Sequence, residues 1–299
     1  MSAQGRIRLG AVGYLNARPL VCGLDRSPRF ALRYDVPSQC AALLHEGGID
    51  LGLIPSIEYL RGGPYCIVPD LAIASRGAVA SVAVYTTKPM REVRSIAMDT
   101  SSRTSVALVR VLCERLYKIA PAIEARGPDL AEMLARSDAA LIIGDNALFL
   151  DEKRVRLKSD TTEIATAVAN GVSDRSVRLQ PYMQEGVGKI DLGEVWTTMT
   201  GLPFVYAFWA GRPDALSAAD VLELQRARDE GVTRPADLAR AYLPDRPDRH
   251  EAATRYLRDN IKYHLGDEER AGLELFYRYA AEAGVVEHAA PLRFYGPPT

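Results

Sequence analysis

Short apolar runs alternate with helix-length segments through the first half of the chain, and this alternation restricts the possible folds more than any other feature. Residues 7–12, 30–36 and 49–54 have the composition of buried strands. The helix before the third strand begins at Pro37 and stops at Gly47-Gly48, where glycine commonly ends a helix. Strand–helix–strand order at this spacing favours parallel strands joined by right-handed crossovers. The sequence therefore predicts an α/β fold with mixed, mostly parallel sheets.

A second strand–helix series predicts a second lobe inserted into the first. We assign residues 1–87 and 200–299 to lobe 1 and residues 88–199 to lobe 2. The chain would then cross between the lobes near 86–89 and again near 199–203. Two lobes of this kind usually close by a hinge motion on a ligand held in the cleft between them.

The last third of the chain is predicted to be mostly helical. It begins with a strongly apolar strand over 202–210, which we expect to return the chain to lobe 1. Helical spacing then predicts helices over 217–230, 235–243, 249–265 and 267–283.

The polar run from Asp99 to Val106 lies between a short apolar strand and an amphipathic helix. Serine and threonine are preferred at helix N-caps, and a helix start readily holds an anion. Arg103, Thr104 and Ser105 would add a charge and two hydroxyls to the free backbone amides there. We expect these three residues to bind a carboxylate or phosphate, the alternative being an ordinary cap beside a solvated arginine.

Other polar side chains also follow or occupy predicted strands. Asn16 follows the first strand, Ser56 follows the third, Ser81 lies within a later one, and Asp145 follows the apolar run 139–143. Each alone would serve as a turn or capping residue. Ligands of open α/β sheets bind beyond the carboxyl ends of strands, so together these residues favour a cleft that binds a small anion.

Several other functions have no support in the sequence. A net charge of −1 gives no basic surface for nucleic acid. The four cysteines and four histidines lack the spacing of a metal site, and no nucleotide-binding loop is present, so we expect no metal and no cofactor. Residues 1–6 lack the apolar core of a secretory signal, and no run reaches the roughly 18–20 apolar residues that span a bilayer. We therefore expect a cytoplasmic protein without a membrane partner.

Six motifs, in order along most of the chain, resemble the chorismate dehydratase family of the futalosine route to menaquinone. They are GYLNARPL at 13–20, PSIEY at 55–59, SRTSV at 102–106, AALIIGD at 139–145, DLG at 191–193 and TGLPFVYA at 200–207. The resemblance implies a two-lobed type II periplasmic solute-binding-protein-like fold in the cytoplasm. It also implies a hydro-lyase that needs no cofactor and converts chorismate to 3-[(1-carboxyvinyl)oxy]benzoate and water.

The resemblance also implies roles for the polar residues. Asn16 would be the central polar group, orienting the substrate or donating a hydrogen bond to the leaving hydroxyl. One substrate carboxylate would lie at the start of the helix near 104, and Ser56 and Ser81 are candidates for the other. Asp145 would act as the base or fix a loop, and the substrate's own side-chain carboxylate is a third candidate for the base.

Two other functions stay open at this point. The fold alone would favour a non-catalytic cytoplasmic protein that binds a small dicarboxylate, and fold does not determine function. The sister naphthoate-forming lyase of the same pathway is the other alternative.

Overall fold

The computed structural model describes residues 5–150, 157–159 and 186–296. Within these ranges the strands form two six-stranded sheets. The strands are β1 (Ile7–Val12), β2 (Phe30–Asp35), β3 (Leu51–Pro55), β4 (Cys66–Ile67), β5 (Ile73–Ser75), β6 (Val82–Thr86), β7 (Ser95–Asp99), β8 (Ala122–Arg126), β9 (Ala139–Ile143), β10 (Leu157–Ser159), β11 (Val187–Asp191) and β12 (Phe204–Gly211).

The α-helices flank these sheets and fill most of the C-terminal third. They are α1 (Pro37–His45), α2 (Arg103–Leu112), α3 (Leu130–Leu134), α4 (Asp145–Leu148), α5 (Leu192–Thr200), α6 (Ala218–Val232), α7 (Pro235–Tyr242), α8 (His250–Arg255) and α9 (Asp267–Glu282). Short 3-10 helices cover Leu15–Val21 and Ser56–Leu60, and π-helical turns cover Cys113–Tyr117 and Tyr256–Asn260. In the described part of the chain, no helix has the length and apolarity needed to cross a bilayer.

The first sheet has the order β2-β1-β3-β12-β4, with β5 also paired to β12. β1 is parallel to β2 and β3, whereas β12 is antiparallel to β3, with Ala207 opposite Pro55. All eight residues of β12 are buried, which explains the uninterrupted apolar run in the sequence. The chain thus re-enters the first sheet at β12.

The second sheet has the order β10-β11-β6-β9-β7-β8. β6 pairs with β9 and β11, so Val82–Thr86 belongs to this sheet and not to the first. The predicted crossing at 86–89 is therefore wrong, and the chain leaves the first sheet between Ser75 and Val82. We propose 76–81 and 199–203 as the crossings. An apolar strand pattern does not say which sheet a strand will join, because both sheets offer it a buried neighbour.

The helix predicted over 249–265 ends early. α8 continues through a single π-helical turn to Asn260, after which Ile261 adopts extended backbone angles. Lys262 then exchanges two backbone hydrogen bonds with Ala74 of β5. Pairing with a sheet edge has replaced the last helical turn.

A cluster of aromatic side chains packs α5 and α9 against β12. The Trp196 ring makes edge contacts with Phe204 and Phe276, at centroid distances of 5.2 and 6.0 Å. The Trp196 indole donates a hydrogen bond to the carbonyl of Pro203 at 3.1 Å. Burial of large aromatic rings gives much of the apolar stabilisation in such a core, and here it fixes the segment where the chain returns to the first sheet.

Candidate functional site

A cavity lies between the two sheets, where several strand ends and the start of α2 meet. Its polar lining consists of Tyr14, Asn16, Ser81, Ser102, Ser105 and Tyr206. Its apolar lining includes Val12, Ile73, Val79, Val82 and Ile143. Three of the seven predicted site residues, Asn16, Ser81 and Ser105, therefore reach the same cavity from different elements.

Asn16 lies in the 3-10 helix that follows β1. Tyr14 precedes this helix with extended backbone angles, and Pro19 lies inside it. The Asn16 Oδ1 atom is buried and has no hydrogen-bond partner among the described residues. A buried carbonyl oxygen without a partner is costly, so this atom marks where a ligand would donate a hydrogen bond.

Ser81 is held by a tight segment between β5 and β6. Ala80 has a φ of +65°, a left-handed conformation that is unfavourable for a residue with a side chain. The Asp191 carboxylate accepts hydrogen bonds from the backbone N–H groups of Val79 and Ala80, at 3.0 and 2.7 Å. These bonds hold the strained segment in place and orient the Ser81 side chain towards the cavity.

Asp191 also caps α5. Its side chain accepts hydrogen bonds from the N–H groups of Gly193 and Glu194, at 2.9 and 3.1 Å. A Cβ atom at position 193 would come within 2.7 Å of the Gly77 carbonyl, the Ser75 hydroxyl and the Tyr206 hydroxyl. The DLG motif therefore packs α5 directly against the segment that carries Ser81.

The start of α2 presents hydroxyl groups to the cavity from the second sheet. Ser102 is the N-cap, and its side chain accepts a hydrogen bond from the Ser105 N–H. The two hydroxyls lie 3.0 Å apart, and both residues line the cavity. The positive end of the helix dipole adds to their affinity for an anion.

Thr104 and Ser56 were predicted to bind substrate, but the structure places both behind the cavity wall. Ser56 Oγ donates to the carbonyl of Val205 at 2.8 Å. The Ile57 N–H donates to Thr104 Oγ1 at 3.2 Å, and the two hydroxyls lie 3.3 Å apart. Because the Ser56 proton goes to Val205, Thr104 must donate to Ser56. Both hydroxyls are used in joining α2 to the 3-10 helix of the first lobe.

Arg103 also lies away from the cavity, contrary to the prediction that it helps to hold an anion there. Its guanidinium donates to the Glu58 carboxylate at 2.5 Å and faces a separate groove shared with Arg61 and Arg110. The Glu58 side chain is 1% exposed. Burial raises the pKa of Glu58, but hydrogen bonds and charge from Arg61 and Arg103 lower it below its usual value. A buried carboxylate thus holds Arg103 on this side of α2.

Asp145 is the first residue of α4 and is also absent from the cavity lining. One carboxylate oxygen accepts the Leu15 N–H at 3.2 Å, and the other accepts the Tyr242 hydroxyl. Burial raises its pKa, while the bonds from Tyr242 and Leu15 oppose the shift. Asp145 therefore links the end of β9 to Leu15 and Tyr242 of the first lobe.

Of the described residues that line the cavity, none carries a carboxylate, imidazole or amine. Burial raises the pKa of Tyr14 and of Tyr206, so both phenols are neutral near pH 7. In the described ranges no three His, Cys, Asp or Glu side chains are grouped to hold a metal ion. The cavity is suited to hold an anion between apolar walls with neutral donors.

Three tyrosines at or beside the cavity were missed by sequence reasoning. Tyr14 and Tyr206 lie within the motifs at 13–20 and 200–207, which was the available signal. Tyr256 donates a hydrogen bond to Ser81 Oγ at 2.7 Å. Tyr256 could not be recognised as a site residue from the sequence, because an aromatic residue in a helical segment usually indicates core packing.

The chain resembles known proteins both in sequence and in fold. The model of the menaquinone biosynthesis family matches residues 7–167 and 174–282. A protein of Thermus thermophilus named chorismate dehydratase is 31% identical over 274 residues, covering 90% of this chain and 93% of that protein.

Solved structures show the fold alone. A protein from Archaeoglobus fulgidus has a TM-score of 0.69 at 15% identity, with 95% of this chain and all of that chain covered. The periplasmic aliphatic sulphonate binding protein of Escherichia coli has a TM-score of 0.56 at 14% identity, with 99% of this chain and 96% of that chain covered. The predicted two-lobed type II periplasmic-binding-protein-like fold is thereby confirmed.

Proposed function

This chain belongs to the menaquinone biosynthesis family, and we propose that it is a chorismate dehydratase, a hydro-lyase that forms 3-[(1-carboxyvinyl)oxy]benzoate and water. The proposal rests on the match over nine-tenths of the chain to a relative of that name. The cavity supports the proposal, because it has what the reaction needs: an anion-binding site, apolar walls for a six-membered ring and hydrogen-bond donors.

Chorismate has two carboxylates, and we propose that one lies at the start of α2. Ser105 and Ser102 would bind it together with the helix N-terminus, while Thr104 and Ser56 hold that helix in position. Hydrogen bonds to a charged group are stronger than those between neutral groups. In this proposal the carboxylate-binding site consists of neutral hydrogen-bond donors only and does not include the Arg103 guanidinium.

The reaction breaks the C3–H and C4–O bonds of the ring. Removal of the C3 proton builds charge that the ring carboxylate shares, and fixed donors near that carboxylate stabilise it. The C3–H electron pair becomes the new ring double bond as hydroxide leaves C4. The abstracted proton and the hydroxide form water.

The cavity favours the substrate's own side-chain carboxylate as the base. Among the described lining residues none is a base at neutral pH, and both Asp145 oxygens already accept hydrogen bonds. A base must lie within hydrogen-bond reach of the proton that it removes. In this scheme the protein orients the substrate and stabilises charge, and Asp145 serves only to fix its loop.

The test is to incubate the purified protein with chorismate and follow the product by mass spectrometry and proton NMR. Loss of one water with the appearance of an aromatic ring supports the proposal. Binding of chorismate without turnover would instead support the dicarboxylate-binding protein, and chorismate that neither binds nor reacts would leave the sister lyase. The expected cytoplasmic location is tested separately by cell fractionation.

A further inference from the structure

Tyr256 contacts two of the residues proposed to act in the cavity. Its hydroxyl donates to Ser81 Oγ at 2.7 Å. It also lies close enough to the Asn16 side chain for that side chain to lower the pKa of the phenol. The Tyr256 side chain is buried, with 2% of its surface exposed. It begins the π-helical turn in which α8 ends, and π-helical turns are frequent at functional sites.

The hydrogen-bonding capacity of this group defines what a ligand must supply. A tyrosine hydroxyl has one proton, and here it is directed at Ser81, so the Ser81 proton is free for the cavity. Asn16 Oδ1 is buried and has no partner among the described residues, so it can accept a hydrogen bond from a ligand. The group therefore offers a ligand one donor, on Ser81, and one acceptor, on Asn16. A hydroxyl group satisfies both at once.

We propose that Tyr256 is a positioning residue for the departing C4 hydroxyl of chorismate, a role that rests on the proposed function. Tyr256 fixes the Ser81 proton on the hydroxyl oxygen while Asn16 accepts the hydroxyl proton. As the C4–O bond breaks, negative charge grows on that oxygen, and the Ser81 hydrogen bond strengthens. The proton removed from C3 completes the water, and Tyr256 keeps its own proton.

The surroundings of Tyr256 agree with a group that donates a hydrogen bond without ionising. Burial raises the pKa of its phenol, because a tyrosinate there would be poorly solvated. Transfer of the Tyr256 proton to Ser81 is therefore unfavourable.

The test compares Tyr256→Phe with Tyr263→Phe. Tyr263 is also buried, and its hydroxyl has no hydrogen-bond partner within the described ranges, so it is a matched control. We expect Tyr256→Phe to lower kcat about tenfold, the loss expected for one hydrogen bond. Tyr263→Phe should keep wild-type kcat and KM. Equal kcat values for the two variants would overturn the inference.

Product binding separates positioning from a general structural effect. The product lacks the C4 hydroxyl, so its Kd in isothermal titration should be the same for Tyr256→Phe and wild type. A Kd that weakens as much as kcat falls would indicate a distorted cavity and would overturn the inference.

A double-mutant cycle tests whether Tyr256 acts through Ser81. In a Ser81→Ala background, adding Tyr256→Phe should change kcat by less than about twofold. Multiplicative losses in kcat would refute the inference that Tyr256 acts through Ser81.

If the wild-type protein does not convert chorismate at all, the proposed function fails and this inference fails with it. Wild-type turnover with a fully active Tyr256→Phe variant refutes the inference alone.

Discussion

Thr104 and Ser105 are adjacent hydroxyl residues for which the structure predicts opposite consequences of substitution. Thr104 Oγ1 is the partner of the Ile57 N–H, and the Thr104 side chain is fully buried. Ser105 instead lines the cavity, where its hydroxyl contacts Ser102. Removing the first hydroxyl should affect folding, and removing the second should affect substrate binding.

Thr104→Val keeps the branched shape and removes the hydroxyl. The buried Ile57 N–H is then left without a partner, which costs about 1–3 kcal/mol, and Ser56 loses a donor. We expect the free energy of unfolding in urea to fall by about 2 kcal/mol, with KM for chorismate unchanged. Thr104→Ser retains a hydroxyl and is the matched control, which should recover most of that stability.

Ser105→Ala should have the reverse effect. A hydrogen bond to a carboxylate is worth about 1.5–3 kcal/mol, so KM should rise about ten- to a hundredfold. Alanine is the better helix former, and stability should change by less than about 0.5 kcal/mol. Steady-state kinetics and urea unfolding on the same preparations measure both quantities. A Thr104→Val variant with normal stability and a raised KM would refute the assignment of the two hydroxyls.

Three further predictions concern single residues. Asn16→Asp should lower kcat at least about a hundredfold while the melting temperature stays close to that of wild type, because a carboxylate has no N–H to donate and adds negative charge beside a developing anion; a near-normal kcat would contradict it. Arg103→Gln should leave KM unchanged and cost about 0.5–1 kcal/mol in urea unfolding, since the ion pair is partly exposed; a raised KM would return Arg103 to the substrate site. Burial raises the pKa of Asp220, but hydrogen bonds from Arg29 outweigh it and lower that pKa to about 2. The free energy of unfolding should therefore fall as the pH drops from about 4 through 2, and Asp220→Asn should lose about 2 kcal/mol at pH 7 and show little of this pH dependence. Identical pH profiles for the variant and wild type would exclude the Arg29–Asp220 pair as the source of the pH dependence.

The order of strands and helices along the chain could be predicted from the sequence, but the sheet that each strand joins could not. The later strand that was predicted to contain Ser81 does exist, as β6, but it was assigned to the wrong sheet because the crossing was expected near 86–89. The crossing that we propose, 76–81, contains Ala80, whose positive φ is sustained by Asp191. Asp191 follows Ala80 by more than a hundred residues in the chain, and no local pattern reveals such a contact.

Ser56 and Ser81 were both predicted to bind substrate, yet their hydrogen-bond partners differ in a way that the sequence does not show. Ser56 follows β3 of the first sheet, and Ser81 precedes β6 of the second. Ser81 reaches the cavity, whereas Ser56 donates to a backbone carbonyl of β12. The difference arises from β12, which enters the first sheet beside β3 from a distant part of the chain.

Helix geometry alone could have excluded the prediction that Arg103, Thr104 and Ser105 all bind the same anion. Successive residues of an α-helix point about 100° apart around its axis, so Arg103, Thr104 and Ser105 cannot all face one ligand. In the structure they face three different neighbours, namely Glu58, the 3-10 helix at 56–60 and the cavity. A single helical turn therefore holds a buried carboxylate, joins the two lobes and presents one hydroxyl to the cavity. Because Arg103 pairs with Glu58 and Thr104 joins the 3-10 helix, the proposed anion site depends on Ser105, the Ser102 cap and the backbone amides between them.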